Sequence, residues 1–399
     1  MPDQIPDSLL RSKADMLRAL RALGSEHFEV PAFDVVPFPL GAPALVCDPE
    51  CLPVLKWPCV KDVAATGVAA ALPIVVASAE RLGLGLDSPI WLRTSMALTG
   101  SLEVSYPGVN YSRRSEGFGG LANALAVLGS ALERPYVRWY LSHFGAEFRR
   151  GQNELIVSKA ASGDFYGVAY LRGERAAIDL YDAKYSDRHI RCAETDPPRG
   201  PGSGDWSDLP NGERLRAGLL EIHRAYGQSD AVTEVEFYAS QGARPAAVQF
   251  RLVPMRGVGE DALLQQWSDS RRRVIDFRRA PRDVAQLAPK LAELAGDPQA
   301  VALVRDLAFR ECDAFALYLA AELVGLPAPH SVIIERDGLL PRSHFASVLC
   351  EDPGTFRVGQ IKANRVPLLT DGDGVDISAH HGTRIDLAPR RSCVRDSAA

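Results

Sequence analysis

Apolar residues recur every three or four positions in several stretches, and this spacing is typical of amphipathic helices. It predicts helices over Ser8–Leu23, Gly119–Leu132 and 213–226. Elsewhere, short runs rich in β-branched and aromatic residues, bounded by Gly, Pro, Asn or Asp, are typical of strands. They predict strands within 28–38 and near 90–92, 155–157, 168–170, 176–181, 232–239 and 246–253.

The turn residues indicate how some of these strands connect. The segment Ser162-Gly163-Asp164 predicts a hairpin over Glu154–Leu171, and Gly242 predicts a second turn between the strands at 232–239 and 246–253. From Asp261 to Leu326 the pattern is helical almost throughout, and after Pro327 it changes to short strands and glycine-rich turns. The sequence therefore predicts an α+β fold.

Length and composition narrow the class of protein. A chain of 399 residues is too long for one ordinary core and predicts two or three domains. The net charge of -5 and the absence of a long basic run argue against a nucleic-acid or membrane partner. The chain shows no secretory signal, and its seven cysteines are an odd number spread from Cys47 to Cys393, so we expect a cytoplasmic protein with free thiols.

Two neighbouring strands carry residues that suit a metal and a phosphate. Across the predicted hairpin Glu236 lies opposite Gln249, and Arg251 shares the face of Gln249. A carboxylate and an amide oxygen are ligands that Mg²⁺ accepts, and a guanidinium neutralises phosphate charge. The alternative is an exposed strand face with ordinary charges.

The same residues carry a resemblance to a known family. The segments Glu234–Phe237 and Val248–Arg251 resemble the end of the ATP-binding domain of phosphoenolpyruvate synthase, pyruvate phosphate dikinase and rifampin phosphotransferase, where a Glu in one strand is followed by Gln-x-Arg-Pro in the next. In this chain the proline comes later, at Pro254. The resemblance implies an ATP-grasp-type domain that binds ATP and Mg²⁺, with Glu236 and Gln249 as metal ligands.

Upstream segments resemble the family in the same order. Ser12–Leu17 is similar to its Gly-Gly-Lys-Gly-Ala-Asn-Leu opening, Leu92–Ser95 to its Val-Arg-Ser-Ser, and Leu155–Lys159 to the strand that pairs with adenine. The resemblance implies that Lys13, Arg93 and Lys159 bind the nucleotide, and that Arg93 and Arg251 act on the transferring phosphates. Lys13 alone would read equally well as a solvated helix lysine.

The last part of the chain resembles the family's swivelling phosphohistidine domain. Arg342–Ala346, then Val358-Gly359, then Asp371–Val375 are similar to its Thr-Ser-His-Ala-Ala, Val-Val-Gly and Asp-Gly-Asp-x-Val segments. Because neutral imidazole is a good nucleophile near pH 7, the resemblance implies that His344 carries the phosphoryl group. Without these flanking segments, a satisfied core histidine would be the expectation.

Together these observations predict an ATP-dependent phosphotransferase of dikinase type. Residues 1–258 would form the ATP-grasp-type domain, 259–326 a helical connector and 327–390 a reduced phosphohistidine domain. ATP would phosphorylate His344, with AMP and phosphate as by-products, and His344 would pass the group to a small-molecule acceptor. The phosphoenolpyruvate and pyruvate enzymes need a further barrel domain of about 250 residues, for which 399 residues leave no room, so we expect an acceptor other than pyruvate. Two alternatives stay open: an ATP-grasp ligase that activates a carboxylate without phosphohistidine, and a non-catalytic nucleotide-binding relative.

Overall fold

The structure is a computed structural model that divides the chain into two compact units. It describes residues 12–38, 64–95, 98–99, 112–129, 147–148, 154–173, 175–182, 189–194, 209, 211–229, 231–254, 270–278, 284–305, 312–336, 349, 356–362, 372–381 and 384–389. The first unit contains the described residues up to 254 and the second those from 270 onward. Both units mix helices with sheets.

The first unit opens with helix α1 (Lys13–Leu23) and a four-stranded antiparallel sheet in the order β1-β6-β2-β4. Its strands are β1 (Phe33–Pro37), β2 (Pro89–Ser95), β4 (Ser112–Glu116) and β6 (Glu154–Lys159). Helices α2 (Ala64–Arg81) and α3 (Leu121–Gly129) cover one face, where Val75, Leu125 and Val157 are buried in one core. The small strands β3 (Leu98–Thr99) and β5 (Glu147–Phe148) pair separately.

A five-stranded antiparallel sheet in the order β11-β10-β7-β8-β9 completes the first unit. Its strands are β7 (Phe165–Arg172), β8 (Arg175–Asp182), β9 (His189–Glu194), β10 (Ala231–Ala239) and β11 (Ala246–Pro254). Helix α4 (Gly212–Tyr226) and α1 bury their apolar faces in the core of this sheet, which contains Leu17, Leu219, Val235 and Phe250. The opposite face of β10 and β11 is therefore left to polar residues.

Two sequence predictions are corrected here. Strands β6 and β7 do not form a hairpin, because β6 lies between β1 and β2 in the first sheet whereas β7 lies between β10 and β8 in the second. The stretch 261–326 is also not helical throughout, since it contains strands β12 (Ser270–Asp276) and β13 (Ala300–Arg305). Both belong to the same barrel as the strands that follow 327, so 259–326 is more than a connector.

The second unit is a closed six-stranded barrel in the order β12-β13-β14-β15-β17-β16. Its other strands are β14 (Ser331–Arg336), β15 (Arg357–Lys362), β16 (Gly374–His381) and β17 (Arg384–Pro389), and helices α5 (Val284–Gly296) and α6 (Cys312–Leu323) connect its first three strands. Strands β12 to β15 are parallel, and β16 pairs with both neighbours antiparallel. Val274, Leu303, Ile333 and Val375 fill the barrel core.

The longest apolar run of the chain, Val63–Ala79, coincides with helix α2, which contains Pro73. Among the described residues, no helix has both the length and the apolar character needed to cross a membrane.

Candidate functional site

One face of β10 and β11 carries a row of polar side chains. Side chains alternate between the two faces of a strand, so Glu234 and Glu236 share the face opposite Val235. The register pairs Glu236 with Gln249 and Glu234 with Arg251, as the sequence predicts for the first pair. A register shift between Glu236 and Phe237 then brings Phe237 opposite Ala247. We call Lys13, Arg93, Glu234, Glu236, Gln249 and Arg251 the polar cluster.

A bidentate ion pair joins the two strands inside this cluster. Arg251 donates from Nε to Oε1 of Glu234 at 2.6 Å and from Nη2 to Oε2 at 2.8 Å. The Glu234 side chain is 2% exposed and that of Arg251 is 12% exposed. Burial alone would lower the pKa of Arg251, but the charge of Glu234 and its hydrogen bond outweigh burial and raise it. Arg251 is therefore a fixed cation.

Arg93 brings the first sheet to the same place. Its Nη1 donates to the carbonyl oxygen of Val248 and its Nη2 donates to Oε1 of Gln249 at 2.7 Å. The same Nη2 lies 3.7 Å from Oε2 of Glu236, and Nε donates to Oγ of Ser112 at 3.2 Å. The Arg93 side chain is only 5% exposed. The oxygens of Glu236 and Gln249 thus converge on one guanidinium nitrogen.

Lys13 joins the cluster from the first position of α1. Ser12 caps this helix by accepting a hydrogen bond from the nitrogen of Asp15 at 3.1 Å, and the nitrogen of Ala14 donates to Oγ of Ser95 at 3.0 Å. These bonds anchor the start of α1 at the end of β2. Burial, with the positive charges of Arg93 and Arg251, lowers the pKa of Lys13 to about 7, although the two glutamates partly oppose this shift. Lys13 can therefore gain a proton near neutral pH when a negative charge arrives.

Three aromatic rings border the cluster, and sequence reasoning missed them. The ring centroids of Trp91 and Tyr238 lie 5.4 Å apart, and those of Tyr166 and Tyr238 lie 5.3 Å apart. The guanidinium carbon of Arg93 is 5.5 Å from the Trp91 ring centroid. Burial, reinforced by Glu236, raises the pKa of Tyr238 to about 12, so its hydroxyl stays a donor. Strand alternation indicates two of these rings, because Trp91 and Tyr238 each lie two residues from a cluster member and therefore on the same side of their strand as that member.

One predicted site residue, Lys159, is not brought to the cluster. Lys159 is exposed and pairs with Ile90, which places it on the opposite face of the first sheet from Arg93. The nitrogen of Lys159 donates to the carbonyl of Ala32, and β6 is paired along both edges, so its backbone groups are already engaged. His344 lies outside the described residues.

Glu236 and Gln249 fit the predicted Mg²⁺ in donor type. Both supply oxygen, the donor atom that this ion prefers, and both oxygens approach a single cationic nitrogen of Arg93. Among the described residues, no three His, Cys, Asp or Glu side chains cluster closely enough to hold a metal ion. A Mg²⁺ ion held by one or two protein oxygens usually takes its other ligands from phosphates and water.

The lowered pKa of Lys13 predicts a pH-dependent stability. Between about pH 7 and its ordinary pKa of 10.5, Lys13 is neutral in the folded protein and protonated in the unfolded chain. The unfolded chain then binds more protons, so the free energy of unfolding rises with pH in this window, by at most about 1.4 kcal/mol per pH unit. We expect Lys13→Met to lose this rise when the unfolding of the first unit in urea, followed on peptides from β10 and β11, is compared at pH 7 and pH 9. Equal pH slopes in the two proteins would contradict the prediction, and Lys159→Met, at an exposed lysine, is the control.

Comparison with known proteins gives distant structural matches only. No family model and no curated protein matches the chain. Among solved structures, ACD1 of Ca. Korarchaeum cryptofilum in complex with coenzyme A is matched at 9% identity and a TM-score of 0.32, over 60% of this chain and 91% of that one. D-alanine–D-alanine ligase of Bacillus anthracis complexed with ATP is matched at 10% identity and a TM-score of 0.28, over 65% of this chain and 58% of that one. Macrocyclase MdnC of Microcystis aeruginosa is matched at 9% identity and a TM-score of 0.27, over 61% of this chain and 51% of that one. TM-scores this low do not establish a shared fold.

Proposed function

We propose that the polar cluster binds ATP with Mg²⁺ and that the chain is an ATP-dependent phosphoryl-transfer enzyme with an ATP-grasp-type first unit. One observation carries the proposal: Arg93 of the first sheet reaches the oxygens of Glu236 and Gln249 on the second. Two arginines, a lysine that can take up a proton and two metal-compatible oxygens thus meet in one cluster, at positions where the sequence resembles an ATP site.

Each member of the cluster has a distinct part in this proposal. Arg251 is already held by Glu234 and supplies a fixed positive charge, whereas Lys13 supplies a charge that forms when phosphate binds. Arg93 would exchange its contacts with Gln249 and Glu236 for phosphate oxygens. Glu236 and Gln249 would hold Mg²⁺, which neutralises negative charge on the phosphates when bound. The rate enhancement would come from positioning and charge neutralisation, as is general for phosphoryl transfer.

The acceptor defines two routes. In the dikinase route ATP, one water and a neutral His344 give AMP, inorganic phosphate and phosphohistidine, and the imidazole proton is released as the N–P bond forms. A small molecule then takes the phosphoryl group from His344. In the ligase route the same site transfers the γ-phosphoryl group of ATP to a carboxylate, ADP leaves, and His344 has no part. The polar cluster would serve either route, because in both it positions ATP and none of its members accepts the phosphoryl group.

Labelled ATP tests the proposal and separates the routes. We expect incubation with Mg²⁺ and ATP labelled at the β-phosphate to give acid-labile label on the protein, and ATP labelled at the γ-phosphate to release labelled inorganic phosphate. His344→Ala should abolish the protein label while ATP binding persists. Glu236→Gln should abolish it by removing a metal ligand, with a loss of ATP affinity of about 10-fold or more, the loss expected for one charge-assisted contact.

Each outcome of this experiment decides between readings. ATP binding without protein label, together with ADP formation when carboxylic acids are added, would replace the dikinase route by the ligase route. Saturable ATP binding with neither product would identify a non-catalytic nucleotide-binding protein. Failure to bind ATP, or affinity unchanged in Glu236→Gln, would refute the proposed site. Glu116→Gln is the matched control, because Glu116 is an exposed carboxylate paired with Arg114 at 2.8 Å outside the cluster.

A further inference from the structure

A second charged cluster closes one end of the barrel. Leu303 and Ile333 point into the barrel core, and two residues further along the same strands are Arg305 and Glu335. Because side chains alternate along a strand, Arg305 and Glu335 share that inward side. They also pair with each other in the register of β13 and β14. The apolar core thus ends in a charged layer at the carboxyl end of the parallel strands.

Glu335 is the centre of this layer. Its carboxylate belongs to a side chain that is 4% exposed, and it accepts from Nη2 of Arg305 at 2.8 Å and from Nη1 of Arg278 at 3.1 Å. Burying a carboxylate costs free energy unless it is paired, so Glu335 needs the two guanidiniums beside it. Glu335 therefore fixes both arginines at the barrel mouth.

The two arginines differ in how far they are engaged. Arg278 also binds both carboxylate oxygens of Asp276, at 2.9 and 2.7 Å, and its side chain is 15% exposed. Arg305 uses Nη2 on Glu335, its one ion-pair partner among the residues that the structure describes, and remains 45% exposed. Arg305 is thus oriented by a buried carboxylate while much of its planar donor group stays accessible.

Among the residues that the structure describes at the mouth, the cations outnumber the carboxylates. Lys290 donates to the carbonyl oxygen of Asp276 at 2.9 Å, which adds a third cation to Arg278 and Arg305 against two carboxylates. Ligands of parallel sheets bind beyond the carboxyl ends of the strands, and barrel mouths are frequent ligand sites. An accessible, oriented guanidinium favours a tetrahedral oxyanion, because its fork matches two phosphate oxygens at once.

We propose that Arg305, held by Glu335 at the carboxyl end of the barrel strands, is the receptor of an anion site for a phosphate-type oxyanion. Two ligands would suit this site, inorganic phosphate and a phosphoryl group attached to an imidazole, because each has at least two free phosphate oxygens. This site lies in the second unit and does not depend on the proposed nucleotide site.

Calorimetric titration of the full chain in the absence of ATP tests the inference. The probes are inorganic phosphate and N-phosphoimidazole, and tighter binding of one identifies the source of the group. We expect saturable binding of at least one probe with one site per chain, together with a shift of the Arg305 Nε resonance. Arg305→Met should weaken binding at least 10-fold, and Arg305→Lys about 10-fold, because a point charge does not replace the planar fork.

Two variants keep the test decisive. Arg357→Met removes an exposed arginine at the start of β15, at the opposite end of the parallel strands, and should bind as the unaltered chain does. Arg305→Lys keeps the positive charge beside Glu335, so the barrel should stay folded even if Arg305→Met unfolds it. Absence of saturable binding of either probe, unchanged affinity in Arg305→Lys, or an equal loss in Arg357→Met would overturn the site. None of these outcomes bears on ATP binding by the first unit.

Discussion

Replacing Glu234 by Gln is expected to destabilise the second sheet of the first unit by about 3–5 kcal/mol, the cost of removing one partner of a buried ion pair. Arg251 would keep its charge in a site where Glu234 supplies both acceptor oxygens at 2.6 and 2.8 Å. Gln has the shape of Glu but supplies one oxygen and no charge. The loss therefore comes from a buried guanidinium without its paired carboxylate rather than from a cavity.

Hydrogen exchange read on peptides is the suitable measurement, because the chain has two units and need not unfold in one transition. Peptides from β10 and β11 should exchange faster in Glu234→Gln, and peptides from β13 and β14 should be unchanged. The double variant Glu234→Leu/Arg251→Met should recover much of the loss, because it removes both charges together. Glu116→Gln, in an exposed pair, should change stability by less than about 0.5 kcal/mol. A loss that small in Glu234→Gln would show that the pair is screened by water.

Local pattern was sufficient for the strands that build the cluster. The segments predicted at 232–239 and 246–253 are β10 and β11 within one residue at each end, and the turn between them contains Gly242 with φ of 78°. Their pairing already placed Glu236 opposite Gln249. The Glu234–Arg251 pair follows from the same register, since the antiparallel partners of i and j include i−2 and j+2. The sequence therefore carries the signal for both pairs.

What failed depended on contacts distant along the chain. The turn at Ser162-Gly163-Asp164 separates two strands, but the partners of these strands, β2 and β10, lie far away in sequence, so the turn could not show that they join different sheets. Strand β13 was not predicted because a short apolar run has no period that distinguishes a strand from a buried helix segment. Strand β12 begins with a serine and three arginines, and only Val274 and Ile275 in it favour a strand. The approach of Trp91 to Tyr238 likewise depends on how two sheets pack.

Removing Arg93 is expected to change metal and nucleotide binding in opposite directions. Its Nη2 lies 2.7 Å from Oε1 of Gln249 and 3.7 Å from Oε2 of Glu236, the two oxygens proposed to ligate Mg²⁺. Two unit charges about 4 Å apart interact by about 4 kcal/mol at the effective dielectric constant of such sites. Arg93→Met should therefore bind Mn²⁺, a paramagnetic substitute for Mg²⁺, at least about 10-fold more tightly than the unaltered chain. A 10-fold gain in affinity corresponds to about 1.4 kcal/mol, which is only part of that repulsion.

The same variant should bind ATP about 10-fold to 100-fold more weakly, because it lacks a charge-assisted contact to phosphate. Electron paramagnetic resonance measures free Mn²⁺ with and without nucleotide, and exchange of the β10 and β11 peptides verifies that the sheet is intact. Arg81→Met, at an arginine 60% exposed on α2 and paired with Asp34, should change neither affinity. Glu236→Gln should weaken Mn²⁺ binding without nucleotide. Weaker Mn²⁺ binding in Arg93→Met would show that Arg93 supports the two oxygens and does not compete with the metal for them. That result would refute the proposal that Arg93 moves from these oxygens to phosphate.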